Sequence, residues 1–284
     1  MSPHFYIVHD RDVAIELRHG NNRLLLRYVY RPQTPNTESP RPYAHPVCSL
    51  AGEVLTNFRP NDHPWHHGLS FTINRLDAAN YWGGPSYRAG DGYRWRSDHG
   101  TQRHVGWKEI APSRLEQLLE WPSLSGGLYL RERRILSPLR ISETAWSLRW
   151  QAELENVSGR NLVAANCYSA ERLAGSHYTG LQFRGARALL DEHGDPEIAL
   201  FADGMRSKEE AINGSQARAL EWHGRTDTTL RRVGLRFENN LGPLHWFFRR
   251  ENPLIALPFQ YDRDITLAPG ETLSIDHTLV FTDL

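Results

Sequence analysis

Apolar and polar residues alternate with a period of two along much of this chain, and residues 145–155 give the clearest example. One face of that segment is apolar and contains Trp146, Leu148, Trp150, Ala152 and Leu154. The opposite face is polar and contains Ser147, Arg149, Gln151, Glu153 and Glu155. This alternation predicts a half-buried antiparallel strand, since successive side chains of a strand point to opposite faces.

Similar patterns predict further strands at residues 6–8, 13–18, 22–30, 68–73 and 128–136. The apolar run 162–165 follows a turn and is interpreted as the hairpin partner of 145–155. Residues 264–281 read as strand, Pro-Gly turn and strand. Only residues 206–222 indicate a helix, polar throughout and on the surface. Because helix signals are scarce and no linker is evident, we predict an all-β protein: one domain, residues 1–284, forming a large antiparallel β-sandwich.

Charge and composition exclude several classes of protein. The chain has 33 basic and 33 acidic residues, so it lacks the net positive charge that attracts proteins to nucleic acid or anionic membranes. No segment supplies about 18 continuous apolar residues for a spanning helix, and the N-terminus does not resemble a secretory signal. We therefore expect a soluble cytoplasmic protein with no nucleic-acid or membrane partner. Its two cysteines, Cys48 and Cys167, are expected to be buried thiols.

The densest group of reactive side chains lies in residues 61–68, where His63, His66 and His67 follow Asp62. A carboxylate next to a histidine can accept one ring N–H and so orient the imidazole. His63 and His66 therefore suit acid and base catalysis near neutral pH, or they could bind a divalent metal such as Zn, Mn or Fe. A third possibility is that Asp62 and His63 only stabilise the loop through hydrogen bonds.

Residues from other segments could complete this site. His45 and His104 are further catalytic or ligand candidates, and Arg41, Arg103 and Arg184 could bind substrate oxygens or a carboxylate through their planar guanidinium groups. The aromatic and glycine-rich segment 80–104 is too long for a simple connection, so we expect it to cover a site. Tyr81 and Trp82, near its start, could stack on a sugar ring, since nine Trp and eleven Tyr are more than a core requires.

Known catalytic motifs are otherwise absent. The sequence contains no Ser-His-Asp order, phosphate-binding glycine loop or dinucleotide fingerprint. Asp62, Asp98 and Glu171 are candidates for the paired carboxylates of a glycosidase, but the sequence does not single out a pair. A retaining glycosidase mechanism therefore has no support from the sequence.

Five motifs together resemble the PmoA-like family of soluble bacterial proteins. They are Arg-Pro-Tyr-x-His-Pro at 41–46, Asp-His-Pro-Trp-His-His-Gly at 62–68, Asn-Tyr-Trp at 80–82, the segment 177–185, and Leu-Ala-Pro-Gly-Glu-Thr-Leu at 267–273. The family usually has Asp-His-Pro-His-His-Arg-Gly in the second motif, so Trp65 and His67 depart from it. Its name refers to a methane oxygenase subunit, which is a membrane protein, whereas this chain has no spanning segment.

The resemblance implies a β-sandwich like the galactose-mutarotase supersandwich, in bacteria that process sugars, often beside oxidoreductases that make keto-sugars. We therefore expect a carbohydrate-active enzyme that cleaves or eliminates at a glycoside or keto-sugar. One alternative is an aldose epimerase or mutarotase, although mutarotases have an Asn-His pair where this chain has Asn166-Cys167. Another is a sugar-binding protein without catalysis. In each case the expected partner is a small carbohydrate.

Overall fold

Strands make up most of the regular structure in residues 5–189, 199–250 and 253–284, the part of the chain that this computed structural model describes. The first twelve are β1 (Phe5–Asp10), β2 (Ala14–His19), β3 (Arg23–Val29), β4 (Tyr43–Val47), β5 (Leu69–Ile73), β6 (Arg75–Leu76), β7 (Ser86–Arg88), β8 (Gly92–Arg94), β9 (Arg103–Ala111), β10 (Arg114–Pro122), β11 (Leu128–Arg140) and β12 (Ala145–Asn156). The others are β13 (Leu162–Ala165), β14 (Thr179–Arg184), β15 (Ala199–Ala202), β16 (Met205–Ser207), β17 (Gln216–Ala217), β18 (Ala219–Arg225), β19 (Arg232–Asn239), β20 (Leu244–His245), β21 (Phe247–Arg249), β22 (Leu254–Leu257), β23 (Ile265–Leu267) and β24 (Thr272–Asp283). The helices are α1 (Cys167–Glu171) and α2 (Glu209–Ile212), with single 3-10 turns at Asn36–Glu38 and Arg187–Leu189.

Most of these strands form two large antiparallel sheets. Sheet A has eight strands in the order β1-β2-β3-β4-β5-β14-β22-β21, and sheet B has nine in the order β16-β15-β18-β19-β24-β12-β11-β10-β9. One hydrophobic core contains side chains from both sheets, such as Phe71 of sheet A and Trp121 of sheet B, whose rings lie 6.1 Å apart. The prediction of an all-β antiparallel sandwich is therefore confirmed.

The alternation in residues 145–155 has the predicted consequence. The five apolar side chains of that segment are buried in the core, and β12 lies between β11 and β24 in sheet B. The predicted strand, Pro-Gly turn and strand near the end of the chain are also present as β23, the turn at Gly270 and β24, but the two strands join different sheets and do not pair as a hairpin. Burying one face of each strand against the opposite sheet supplies the main stabilising contribution, about 25 cal/mol for each square ångström of apolar surface.

Two predictions about local structure were wrong. Residues 162–165 form β13, which pairs with β23 and β6 and not with β12. Only Glu209–Ile212 of the predicted helix 206–222 is helical, and Gly214 interrupts the segment with a φ of +77°. The rest joins strands that bury Leu220 and Trp222, so packing against the core overrides local helix propensity.

The outer face of sheet A, which points away from the core, contributes residues to the candidate site. On β14, Leu181 and Phe183 point into the core, so Gln182 and Arg184 lie on the opposite face. Arg184 is paired with Leu254 of β22, and Leu254 is paired with Arg249 of β21. Side chains of directly paired residues share a face, so the two arginines flank Leu254 on the outer side of the sheet.

Neither helix in the described ranges is long and apolar enough to cross a membrane.

Candidate active site

A tight turn brings two imidazoles together beside sheet A. The backbone N–H of His66 donates to the carbonyl of His63 at 2.9 Å, which closes a four-residue turn with Pro64 in its second position. Proline favours that position because its ring fixes φ near the required value. The rings of His63 and His66 stack with centroids 4.8 Å apart and an interplanar angle of 25°. The sequence His-Pro-Trp-His therefore builds an imidazole pair locally.

Buried contacts hold this turn against the sheet. The fully buried guanidinium of Arg41 donates to the carbonyl of Trp65 at 2.8 Å and to the carbonyls of Glu38 and Ser39. Gly68 ends the loop with a φ of +50°, and a Cβ there would lie 2.3 Å from the carbonyl oxygen of Ala44. Only glycine can therefore connect the turn to β5 at this distance.

The carboxylate of Asp62 orients His63. The His63 Nδ1–H donates to Asp62 Oδ2 at 2.9 Å, so in the neutral ring Nε2 carries the lone pair. Asp62 also accepts from Arg184 at 3.0 Å and from Arg187 at 3.1 Å. Although burial opposes ionisation, the hydrogen bond from His63 and the charge of Arg184 hold the pKa of Asp62 well below its usual range. Asp62 is therefore a permanent carboxylate that positions a base.

His66 has the opposite arrangement. It is 2 % exposed, and its Nδ1 lies 3.1 Å from Nη1 of Arg184. A guanidinium can only donate, so Nδ1 accepts and the ring proton is on Nε2. Burial and the charge of Arg184 lower the pKa of His66 well below its ordinary value, so the ring stays neutral. Its Nε2 has no hydrogen-bond partner among the described residues.

Both imidazoles line a cavity of about 470 Å³ above the outer face of sheet A. Four Trp and Tyr side chains contribute to its wall: Trp65, Trp82, Tyr93 and Tyr178. The complete lining is His63, Trp65, His66, Asn74, Trp82, Gly83, Pro85, Tyr93, Cys167, Tyr178, Arg184, Arg249 and Leu254. The size and the mixture of aromatic walls with a few polar groups are typical of small-molecule sites.

Four residues predicted from the sequence therefore line one cavity: His63, His66, Trp82 and Arg184. Asp62 does not line it but contacts His63 and Arg184 directly.

The other predicted residues lie elsewhere. Arg41 donates to the backbone, as described above, and the Nε2–H of His67 donates to the buried carboxylate of Glu38 at 2.9 Å. Burial and the charge of Arg41 lower the pKa of His67 to about 4. Tyr81 is buried in the core, with its hydroxyl donating to the carbonyl of Pro122 at 2.6 Å. These three side chains therefore stabilise the loop and the core. Their positions do not support the prediction that Arg41, His67 and Tyr81 contact a substrate.

His45, His104 and Arg103 are also outside the cavity. His45 lies 3.0 Å from Thr56 Oγ1, and His104 lies 2.9 Å from Gln117 Nε2. Arg103 is exposed and forms an ion pair with Glu120. The expectation that His45, His104 and Arg103 meet His63 and His66 in one site is corrected by these positions. For Arg103 and His104 the reason is topological, since β9 lies at the edge of sheet B whereas the turn lies against sheet A. His45 lies on β4 of sheet A, but its ring contacts Thr56 and Phe58 and does not line the cavity.

Sequence reasoning missed several lining residues. Tyr178 belongs to one of the motifs that carried the family resemblance, so that motif was an available signal. Trp65 lies between the two histidines, and its ring packs 5.0 Å from His63. Arg249 had no signal, because only the pairing of β14, β22 and β21 brings it near Arg184.

A protein-held metal does not fit these residues. Both Nδ1 atoms are engaged by Asp62 and Arg184, which leaves two imidazole nitrogens next to a cation. Structural and catalytic zinc sites use at least three protein ligands. Within the described ranges no group of three or more His, Cys, Asp or Glu side chains is arranged to hold a metal ion.

Comparisons with known proteins identify a family and two structural likenesses. A model of DUF6807, a family of unknown function, matches residues 14–284. The crystal structure of the GalM/aldose epimerase homologue from C. elegans aligns over 99% of this chain and 98% of its own, with 11% identity and a TM-score of 0.35. A human-microbiome protein assigned as a kojibiose phosphorylase aligns over 95% of this chain and 26% of its own, with 9% identity and a TM-score of 0.31. A search among curated proteins finds no match.

Proposed function

Because the chain belongs to the DUF6807 family, for which no function is known, we propose a function from the site itself. The protein is an enzyme that eliminates a group from a keto-sugar, with His63 as the general base and His66 as the donor to the developing enolate. The observation that carries this proposal is the stacked imidazole pair with opposite partners, a carboxylate on His63 and a guanidinium on His66. The resemblance to PmoA-like proteins remains a prediction beside it.

The two imidazoles suit the two halves of a proton abstraction. His63 Nε2 takes the proton from the carbon next to the keto group, and the C–H electrons form the enolate double bond. The carbonyl oxygen then carries the negative charge, which the Nε2–H of the neutral His66 stabilises by a hydrogen bond. When the carbonyl re-forms, the leaving group departs from the neighbouring carbon and takes the proton from His63. An enone and an alcohol result.

The cavity favours elimination over direct glycoside hydrolysis. Hydrolases of glycosides use two carboxyl groups on either side of the bond. The described lining contains no Asp or Glu. Asp98 and Glu171 instead form ion pairs with Arg88, and Glu171 also pairs with Arg75 at 2.6 Å. Cys167 does not replace a catalytic group, because burial raises the pKa of its thiol to about 11.

Aromatic walls favour a sugar as the substrate. Trp82 packs against Tyr178 with ring centroids 5.2 Å apart, and both line the cavity with Trp65. Flat rings of this kind bury the apolar faces of pyranoses while the polar groups between them orient hydroxyls.

A panel of glycosides and their 3-keto forms tests this function. Wild-type protein is expected to release the aglycone from keto-glycosides only, and His63→Ala is expected to lose turnover by about 100-fold or more. His104→Ala is the matched control, because it removes an imidazole outside the cavity. Full activity in His63→Ala would end the mechanism. Interconversion of anomers by NMR, with no cleavage, would support the epimerase alternative, and thermal stabilisation without any conversion would support a binding protein.

A further inference from the structure

The charges around the cavity are unbalanced. Two arginines, Arg184 and Arg249, line it, and the described lining contains no carboxylate. Asp62 balances Arg184 from behind, at 3.0 Å. Within the described ranges Arg249 forms no ion pair with an Asp or Glu. The wall of the cavity therefore carries one positive charge that no described carboxylate neutralises.

Two contacts hold the side chain of Arg249 in place. Its Nη2 donates to the carbonyl of Gly175 at 2.6 Å, and its guanidinium lies over the ring of Phe247 at 4.7 Å. Phe247 precedes it by two positions on β21 and so shares its face. Among the described residues its guanidinium forms one hydrogen bond, to Gly175, so the other N–H groups have no partner there and are available as donors. An arginine fixed in this way loses little conformational freedom when it binds a ligand.

The distance from the imidazoles fits a sugar substituent. Arg184 contacts His66, and Arg249 lies two strands away in the same cross-strand row, with Leu254 between them. Strands are spaced about 4.8 Å apart, so the two arginines start about 10 Å from each other on the sheet. A sugar ring over Leu254 could therefore reach His66 with one edge and Arg249 with the other.

We propose that the substrate is an acidic sugar whose carboxylate binds Arg249. This inference rests on the proposed function for the reacting end of the substrate, and it adds the substrate class. A carboxylate is favoured over a phosphate because the wall offers one uncompensated charge, whereas a phosphate monoester carries nearly two negative charges at neutral pH. The planar fork of arginine also matches a carboxylate with two parallel hydrogen bonds.

Binding of matched neutral and acidic sugars tests the proposal. Calorimetry would compare lactose with lactobionate, and glucose with glucuronate and glucose 6-phosphate, on the full chain at low salt. Wild type is expected to bind each carboxylate sugar at least tenfold more tightly than its neutral partner, and Arg249→Met is expected to remove that difference. Arg103→Met is the matched control, because it removes an exposed arginine outside the cavity and should change nothing.

The outcomes separate this inference from the proposed function. Equal affinity for neutral and acidic sugars, no measurable binding of the acids, a preference for glucose 6-phosphate, or an unchanged preference in Arg249→Met would each overturn the acidic-sugar assignment. Arg249→Lys guards against misfolding, because it keeps the charge and should retain part of the preference. Loss of turnover in His63→Ala tests the function separately, since that variant keeps Arg249 and should still prefer the acids.

Discussion

Two buried arginines in this chain connect similar polar groups, but the two networks have different roles. Arg134, in sheet B, is fully buried and connects a carboxylate, a phenol, two amides and eventually an imidazole. Arg184, in sheet A, connects a carboxylate and two imidazoles. The first network is closed within the protein, whereas the second ends at a cavity.

The closed network satisfies its members internally. Arg134 donates to Glu132 at 2.6 Å, to the Tyr28 hydroxyl at 3.1 Å and to Gln102 at 2.9 Å. Tyr28 then donates to Gln117, whose amide lies 2.9 Å from His104. Trp121 also donates to Glu132, at 2.9 Å. A fully satisfied network of this kind fixes the packing of a core.

The open network leaves a donor in the cavity wall. His66 is 2 % exposed and so is about as buried as Gln117, the partner of His104 in the closed network. Its Nε2–H nevertheless has no partner among the described residues. Buried polar groups are normally hydrogen-bonded, so an unpartnered donor that lines a cavity indicates a place for a ligand atom. Both networks contain an arginine, a carboxylate and an imidazole. What distinguishes the site is that the last polar group of its network faces a cavity without a partner among the described residues.

Removing the carboxylate of the closed network should have the largest effect on stability. Glu132→Gln leaves Arg134 buried without a counterion, and loss of one partner of a buried ion pair costs about 3–5 kcal/mol. Urea denaturation followed by circular dichroism measures this change. Asp62→Asn is the counterpart in the open network. The Asp62 side chain is 30 % exposed and Arg184 borders the cavity, so water can solvate the remaining charge and the loss is limited to about 1 kcal/mol. Equal losses in both variants would remove the distinction between the networks.

Activity should respond in the reverse order. Asp62→Asn is expected to lower kcat on a keto-glycoside by about 100-fold, because the amide no longer fixes the His63 tautomer with Nε2 as the base. Glu132→Gln should retain its kcat when the rate is expressed per folded molecule. Initial rates at saturating substrate, with the folded fraction measured in parallel, make this comparison. If Glu132→Gln lost as much kcat as Asp62→Asn, the closed network would also be part of the catalytic machinery.

The pH dependence of stability should reflect buried histidines such as His104 of the closed network. Burial lowers the pKa of His104 to about 4, against about 6.5 in an unfolded chain. The unfolded state therefore binds more protons between these values, so stability is complete above pH 6.5 and falls as the pH decreases toward 4. For His104 the loss at pH 5 is at most about 2 kcal/mol. His104→Gln, which keeps a partner for Gln117, should flatten the curve measured by urea denaturation from pH 7 to 5. An unchanged slope would mean that His104 does not titrate on unfolding.

Local sequence patterns predicted the fold well. The alternation at 145–155 and the Pro-Gly turn between β23 and β24 depend on neighbouring residues, so they could be recognised without tertiary information. The pairing of β13 with β23 and β6 could not, because it depends on contacts about a hundred residues apart. The helix predicted at 206–222 failed for a similar reason, since sheet B and the core bury the apolar side chains there.

The site was predictable where it is local. Asp62, His63 and His66 form one short turn, so their spacing in the sequence was enough to suggest them. Arg184 was predicted as a candidate, but its contact with His66 depends on the strand pairing in sheet A. His45 and His104 have the same side chain as His66, and only the surroundings separate a supporting imidazole from one in the cavity. Arg249 could not be distinguished from other arginines before the strand order was known.

The smallest expected effect concerns the wall of the cavity next to the open network. Gly84 has a φ of +71°, and a Cβ there would lie 2.4 Å from the Trp65 ring, whereas Gly90 has a φ of +80° with nothing within 4 Å. Both alanine variants share the backbone strain, so the difference between Gly84→Ala and Gly90→Ala isolates the contact with Trp65, about 1 kcal/mol in the free energy of unfolding. Because Trp65 packs against His63, Gly84→Ala should also raise KM for the keto-glycoside, with a smaller change in kcat. Identical stability and KM in the two variants would mean that the Trp65 ring moves freely and does not shape the cavity.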